Sequence, residues 1–275
     1  MFILTIKYEF VIITLQFRIT KVDFMIHSFL LIGQSNMAGR GKIAEAKPIN
    51  TENIKILRNG RWQPMFRPIN PDRAFSGVSL AESFAEKYAE KYGVTVGLIP
   101  CADGGTSLLQ WQPDGLLFDH AVYQTLLAQR TSTVAGVLWH QGESDCADDK
   151  HPYLAERLEN VLNTFKQRLN LYDVPFLIGG LGDFLKDRIP QNPHYINAPL
   201  VNGIMRSVAE KLPMTGFVSA QGLGANADNL HFNSESLYEF GLRYFEEFEK
   251  LRDPNKVFLE KSHPDDALRT ELEKL

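Results

Sequence analysis

Four short stretches place reactive side chains directly after apolar runs or before a helix: Leu31-Ile-Gly-Gln-Ser-Asn-Met-Ala-Gly39, Cys101-Ala-Asp-Gly-Gly-Thr-Ser107, Trp139-His-Gln-Gly-Glu-Ser-Asp145 and Asp228-Asn-Leu-His231. In the first, an apolar run ends at Gly33 and Ser35 follows on a tight turn into a helix. Its hydroxyl then projects toward solvent near a helix start that favours developing negative charge. A serine hydroxyl is a weak nucleophile until a base within hydrogen-bond reach takes its proton and a third group orients that base. Asp228 and His231, in one loop near the C-terminus, can be that carboxylate and that imidazole. Plain readings compete: Ser35 or Asn36 as a helix cap, and two polar residues of a surface loop. Chain order favours the reactive reading, with the serine after the first strand and the acid and base after the last.

The other two stretches could serve such a serine. Paired glycines, Gly104 and Gly105, let the backbone approach a ligand and aim an N–H at it. The amide of Gln141 can donate to an oxyanion. His140, Glu143, Asp145, Asp148, Asp149 and His151 form a rival set of metal ligands, without a recognised spacing such as His-Glu-x-x-His. The lipase-type elbow, with glycines two residues either side of the serine, is absent. The dinucleotide fingerprint lacks its middle glycine.

These residues need a scaffold that brings distant loops to one rim. Apolar runs of strand length occupy 28–33, 94–100, 134–139, 176–180 and 215–220, nearly continuous in apolar character, as strands covered on both faces are. Helix-period stretches fall between and after them, at 79–92, 120–131, 153–171, 199–212 and 235–251. Strand–helix alternation predicts an α/β fold: a parallel sheet with helices on both sides. Residues 54–57 and 61–65 around Asn59-Gly60 predict a hairpin with a type I′ turn. In open sheets of this kind ligands bind beyond the carboxyl ends of the strands, which is where the first three stretches lie.

With 275 residues and 44% hydrophobic content, the chain can build one large domain. A net charge of -4 argues against a nucleic-acid partner. Residues 1–24 are apolar but interrupted by Lys7, Glu9, Arg18 and Lys21; we expect an extension ahead of Met25, as from a start codon assigned too early. Its longest apolar run, 10–15, is too short to span a bilayer. The expected domain is 25–252, followed by a charged tail or peripheral helix at 253–275. Two cysteines, Cys101 and Cys146, cannot form a disulfide framework. They read as small buried apolar residues of a cytoplasmic protein, with the apolar N-terminus leaving secretion open.

Taken together, Gly33-Gln-Ser-Asn-Met, Gly104-Gly-Thr-Ser, Trp139-His-Gln-Gly-Glu-Ser-Asp and Asp228-Asn-Leu-His resemble the SGNH hydrolase superfamily. Within it they look most like the sialate O-acetylesterase and acetylxylan esterase branch of the carbohydrate esterases. The resemblance covers roughly residues 29–248. It implies a three-layer α/β/α sandwich, flavodoxin-like, with Ser35 as nucleophile, His231 as general base and Asp228 as its partner. It also implies an oxyanion hole from the Ser35 N–H, a glycine N–H (we favour Gly105 over Gly104) and the side chain of Gln141, which stands where the wider superfamily has asparagine. Glu143 is assigned a supporting role, orienting His231 or its loop. The expected activity is removal of O-acetyl groups from carbohydrates through an acyl-enzyme. It needs no cofactor and no metal; the partner is an acetylated carbohydrate, with no nucleic acid and no membrane. Alternatives are an esterase or thioesterase for lipid-like acyl chains and a non-catalytic carbohydrate-binding domain, which would have no need of Ser35, Asp228 and His231 together. Trp111 and Trp139 are candidate platforms for a sugar ring.

Overall fold

The computed structural model describes residues 25–259 and 261. The expectation of an extension at 1–24 lies outside the described residues, as does most of that for 253–275; the described part of the latter forms neither helix nor strand.

Seven strands make one sheet: β1 (Ile26–Gly33), β2 (Ile54–Arg58), β3 (Arg61–Pro64), β4 (Thr95–Pro100), β5 (Thr133–His140), β6 (Phe176–Gly179) and β7 (Thr215–Val218). Their order is β3-β2-β4-β1-β5-β6-β7. All neighbouring pairs are parallel except β2 with β3. The expected parallel sheet therefore gains one antiparallel edge strand. The hairpin that supplies it turns at Asn59 (φ 52°) and Gly60 (φ 75°), the two positive angles a type I′ turn requires. All eight residues of β1 are buried, because the strand lies at the middle of the sheet with helices on either side.

The long helices are α2 (Ala81–Tyr92), α3 (Leu116–Ala128), α4 (Leu154–Leu169), α5 (Ala198–Lys211) and α6 (Ser234–Leu251), after a single turn α1 (Ser35–Ala38). Helices α2 and α6 pack on each other over one face, and α3, α4 and α5 line the other. Each buries an apolar stripe at helical spacing; in α4 it is Leu154, Leu158, Val161, Leu162 and Phe165. Gly93 and Asn170 end α2 and α4 in the left-handed conformation (φ 61° and 54°) that those residues adopt most readily. Element ends shift by a few residues from the sequence expectation, most in α3, which starts at Leu116 rather than 120 because Gly115 precedes it as cap.

From β1 the chain passes to one side of the sheet, forming β2 and the edge strand β3 before returning to lay β4 beside β1. It then crosses to the other side and builds outward through β5, β6 and β7. Such a reversal leaves a crevice at the carboxyl ends of the central strands. The stretches around Ser35, Gly104 and Gln141 follow β1, β4 and β5, so all three open into it.

Candidate active site

The serine turn is shaped by a close approach. Gly33 has φ 126°, and a Cβ there would sit 2.0 Å from the His140 carbonyl oxygen, so only glycine fits. The Gln34 N–H donates to that same carbonyl at 2.9 Å, hooking the turn to β5. Ser35 then opens α1; its N–H, one of the first in a helix and so without an intrahelical acceptor, makes no hydrogen bond among the described residues.

His231 arrives from the far end of the sheet. The loop after β7 folds back as a small hairpin, with an Ala225–Phe232 bridge, and Asn226 ties it to the Arg40 carbonyl at 2.9 Å. His231 Nε2 lies 3.0 Å from Ser35 Oγ, and its Nδ1 lies 2.6 Å from Asp228 Oδ2. Asp228 Oδ1 also accepts the backbone N–H groups of Leu230 (2.9 Å) and His231 (3.0 Å). Burial raises the Asp228 carboxyl, but these N–H donors and the His231 side chain outweigh it and hold the group below its ordinary value. With a carboxylate on Nδ1, that nitrogen carries the proton and Nε2 faces the hydroxyl as acceptor. Hydroxyl, imidazole and carboxylate thus stand in the order needed to draw a proton off Ser35.

Asn36, to which the sequence assigns no role beyond a possible helix cap and a place in the Gly33-Gln-Ser-Asn-Met block, brackets His231. Its Oδ1 accepts the Phe232 N–H at 3.1 Å, and its Nδ2 donates to the Leu230 carbonyl at 3.3 Å and to Glu143 Oε1 at 2.5 Å. Glu143 in turn receives His140 Nε2 at 3.0 Å. Burial alone would raise the Glu143 carboxyl; the neighbouring His140 and the hydrogen bonds from His140 and Asn36 bring it below its usual value. Glu143 therefore reaches the His231 loop through Asn36, without touching the imidazole. The sequence signals for Asn36 are its adjacency to Ser35 and its place in the Gly33-Gln-Ser-Asn-Met block, and helix capping explains the first equally well.

The two glycines differ. The Gly104 N–H is taken by Asp72 Oδ2 at 2.8 Å, whereas Gly105, exposed and at φ 81°, has an N–H with no hydrogen bond among the described residues. Gln141 is buried and its Nε2 faces Gln34 Oε1 (2.8 Å), the Thr106 carbonyl (2.7 Å) and Asp145 Oδ2 (2.8 Å). Three acceptors share two amide hydrogens, so donation to a substrate oxygen requires one of them to give way.

One expectation needs correction. Trp111 and Trp139 are 0% and 1% exposed and pack edge to face with centroids 5.7 Å apart. They are core, not sugar platforms, because both rings are packed within the main hydrophobic cluster. The rival metal ligands scatter: His140, Glu143 and Asp145 are buried while Asp148 and Asp149 are exposed, and no group among the described residues is arranged to hold a metal ion. Cys101 and Cys146 are free and buried, and burial pushes both thiols up, away from the reactive thiolate.

This geometry sits within a known family. Residues 25–250 match the model of the carbohydrate esterase family described as sialic acid-specific acetylesterase, and the chain belongs to that family. Membership makes it a carboxylic ester hydrolase and supports hydrolysis of carbohydrate O-acetyl esters. It is similar to a probable carbohydrate esterase of Arabidopsis thaliana, 27% identical over 243 residues, covering 78% of this chain and 86% of the relative. A crystal structure of an Arabidopsis thaliana protein superposes with a TM-score of 0.72 at 26% identity, covering 82% of this chain and 98% of that one. A carbohydrate acetylesterase from Xanthomonas citri shares the fold, with a TM-score of 0.62 at 18% identity over 82% of this chain and 56% of that one. Among the described residues no helix is long and apolar enough to cross a membrane.

Proposed function

We propose that this chain removes acetyl groups from carbohydrate hydroxyls through an acyl-enzyme on Ser35. The observation that carries the reading is the 3.0 Å contact of His231 Nε2 with Ser35 Oγ, backed by the 2.6 Å contact of Nδ1 with Asp228. His231 takes the serine proton as Oγ attacks the acetyl carbonyl. The negative charge that develops on oxygen is met by the N–H groups of Ser35 and Gly105; Gln141 supplies a third donor when one of its acceptors yields. The imidazolium, stabilised by Asp228, returns its proton to the departing sugar alkoxide. Water then attacks the acetyl ester of Ser35 with His231 again as base, releasing acetate. Asn36 and Glu143 serve by holding the His231 loop against the serine turn. The family description and the acetylesterase relatives support acetyl as the acyl group and a sugar as the alcohol.

Acetate release from acetylated xylan and from O-acetylated sialic acid, with Ser35→Ala as control, tests the reading. Hydrolysis should occur on at least one of the two and vanish in the variant. Undiminished release by Ser35→Ala ends the proposal, and a strong preference for octanoyl over acetyl p-nitrophenyl esters ends the acetyl assignment.

A further inference from the structure

The loop carrying Gly104 and Gly105 is laced to the segment after β3 by side chains rather than by backbone. Asn70 Nδ2 donates to the Ala102 carbonyl (2.9 Å) while its Oδ1 accepts the Ala102 N–H (3.0 Å). Two residues on, Asp72 Oδ2 accepts the Gly104 N–H at 2.8 Å. Arg73 Nη2 donates to the Gly104 carbonyl at 2.8 Å and to Asp103 Oδ1 at 2.9 Å. Alternate residues thus meet alternate residues, as in a strand ladder, but with side chains supplying one edge.

The Asp72 carboxylate is itself held on several sides. Arg40 grips it with two nitrogens, at 3.0 and 2.7 Å, and Ser76 Oγ donates at 2.7 Å. The pair is buried, with side chains 4% and 5% exposed, and Arg40 Nε has no hydrogen-bond partner among the described residues. A buried ion pair is weak evidence for stability, because desolvation consumes much of its attraction. Geometry is the better account of this one. A Cβ on Gly104 would meet Arg40 Nη2 at 2.4 Å, Asp72 Oδ2 at 2.8 Å and Ser35 Cβ at 3.3 Å, so one glycine touches both the ion pair and the nucleophile. Two successive glycines have the least conformational restriction of any dipeptide and would otherwise sample many peptide orientations.

We propose that Asp72 and Arg73 are positioning residues for the oxyanion site: by pinning the N–H and the carbonyl of Gly104 they select the Gly105 N–H as the donor presented to the reacting carbonyl. The inference rests on the serine-esterase reading above. Removing Asp72 alone would strand the buried Arg40 charge, so the test compares two double variants in which that charge is gone. Arg40→Leu/Asp72→Asn retains an acceptor for the Gly104 N–H; Arg40→Leu/Asp72→Leu does not. With p-nitrophenyl acetate, kcat of the second should fall about 10²-fold with KM little changed, the loss of one oxyanion donor. Affinity for methylboronic acid, which captures the serine as a tetrahedral adduct, should fall in step, while the Asn double variant keeps most of both. A merely structural lock would move melting temperature without this matched loss. Equal losses in the two double variants, or none in either, overturn the proposal. Should the Leu double variant fail to fold, exposed Arg73→Ala decides: kcat and boronate affinity should drop together by about tenfold, as for one hydrogen bond from a charged donor, and no change in either overturns it. The probe ester carries no sugar, so a wrong sugar assignment leaves this test intact. Hydrolysis surviving in Ser35→Ala would instead sink the nucleophile assignment beneath it.

Discussion

The two ends of β1 set histidines in opposite surroundings. At its start His27 is 4% exposed, its Nδ1 against Tyr88 OH at 2.7 Å, its ring on Phe258 with centroids 3.9 Å apart, and its Nε2 without a partner among the described residues. Burial lowers this imidazole from 6.5 to about 4, so it stays neutral. Beyond the other end, His231 has a carboxylate on one nitrogen and the Ser35 hydroxyl on the other, and its side chain keeps 16% exposure. Both histidines belong to the same fold. What would suit one to act as a base is a charged partner behind it, a hydroxyl in front and access to solvent; burial without those yields a packing residue.

Breaking the working end should have the largest effect. Ser35→Ala should lower kcat by about 10⁶, as loss of a triad nucleophile does, measured by acetate release. Asp228→Asn should lower it by about 10⁴ by removing the charge that orients and stabilises the imidazolium, with little change in melting temperature because the side chain is 41% exposed. Asn36→Ala unlatches the His231 loop and should cost about 10² in kcat, the scale of a 1 Å misplacement, while KM changes little; wild-type kcat in this variant would remove the clamp from the mechanism.

The foot of β1 offers the smallest and most specific effect. The folded state binds a proton on His27 less readily than the unfolded chain, so stability should fall as pH drops from 6.5 toward about 4 and level off below. His27→Asn should flatten that part of the melting temperature–pH curve and leave activity at neutral pH unchanged. A variant whose curve keeps the same slope between those pH values would assign the acid sensitivity elsewhere.

Much of this molecule was legible in its residues. Continuous apolar runs named the inner strands, and Asn59-Gly60 named the hairpin turn, because backbone conformation at those places depends on the residues themselves. Ser35, Asp228 and His231 stood out because their types suit one chemistry and their order along the chain suits one fold. Trp111 and Trp139 misled for a physical reason: whether an aromatic residue near a strand's carboxyl end packs inward or outward depends on which segments it meets in the fold, and periodicity carries no trace of that meeting.

Tertiary structure alone decided the rest. That Asn36 brackets His231, that Glu143 accepts a hydrogen bond from Asn36, and that Asp72 accepts the Gly104 N–H while the Gly105 N–H makes no hydrogen bond among the described residues all depend on how segments distant in the chain meet. Such bonds depend on angles and distances of a few tenths of an ångström, set by how the β1, β4 and β5 loops meet at the sheet's edge. Local residue order determines which elements form and which side chains could react; only the meeting of those elements determines which donor faces which acceptor.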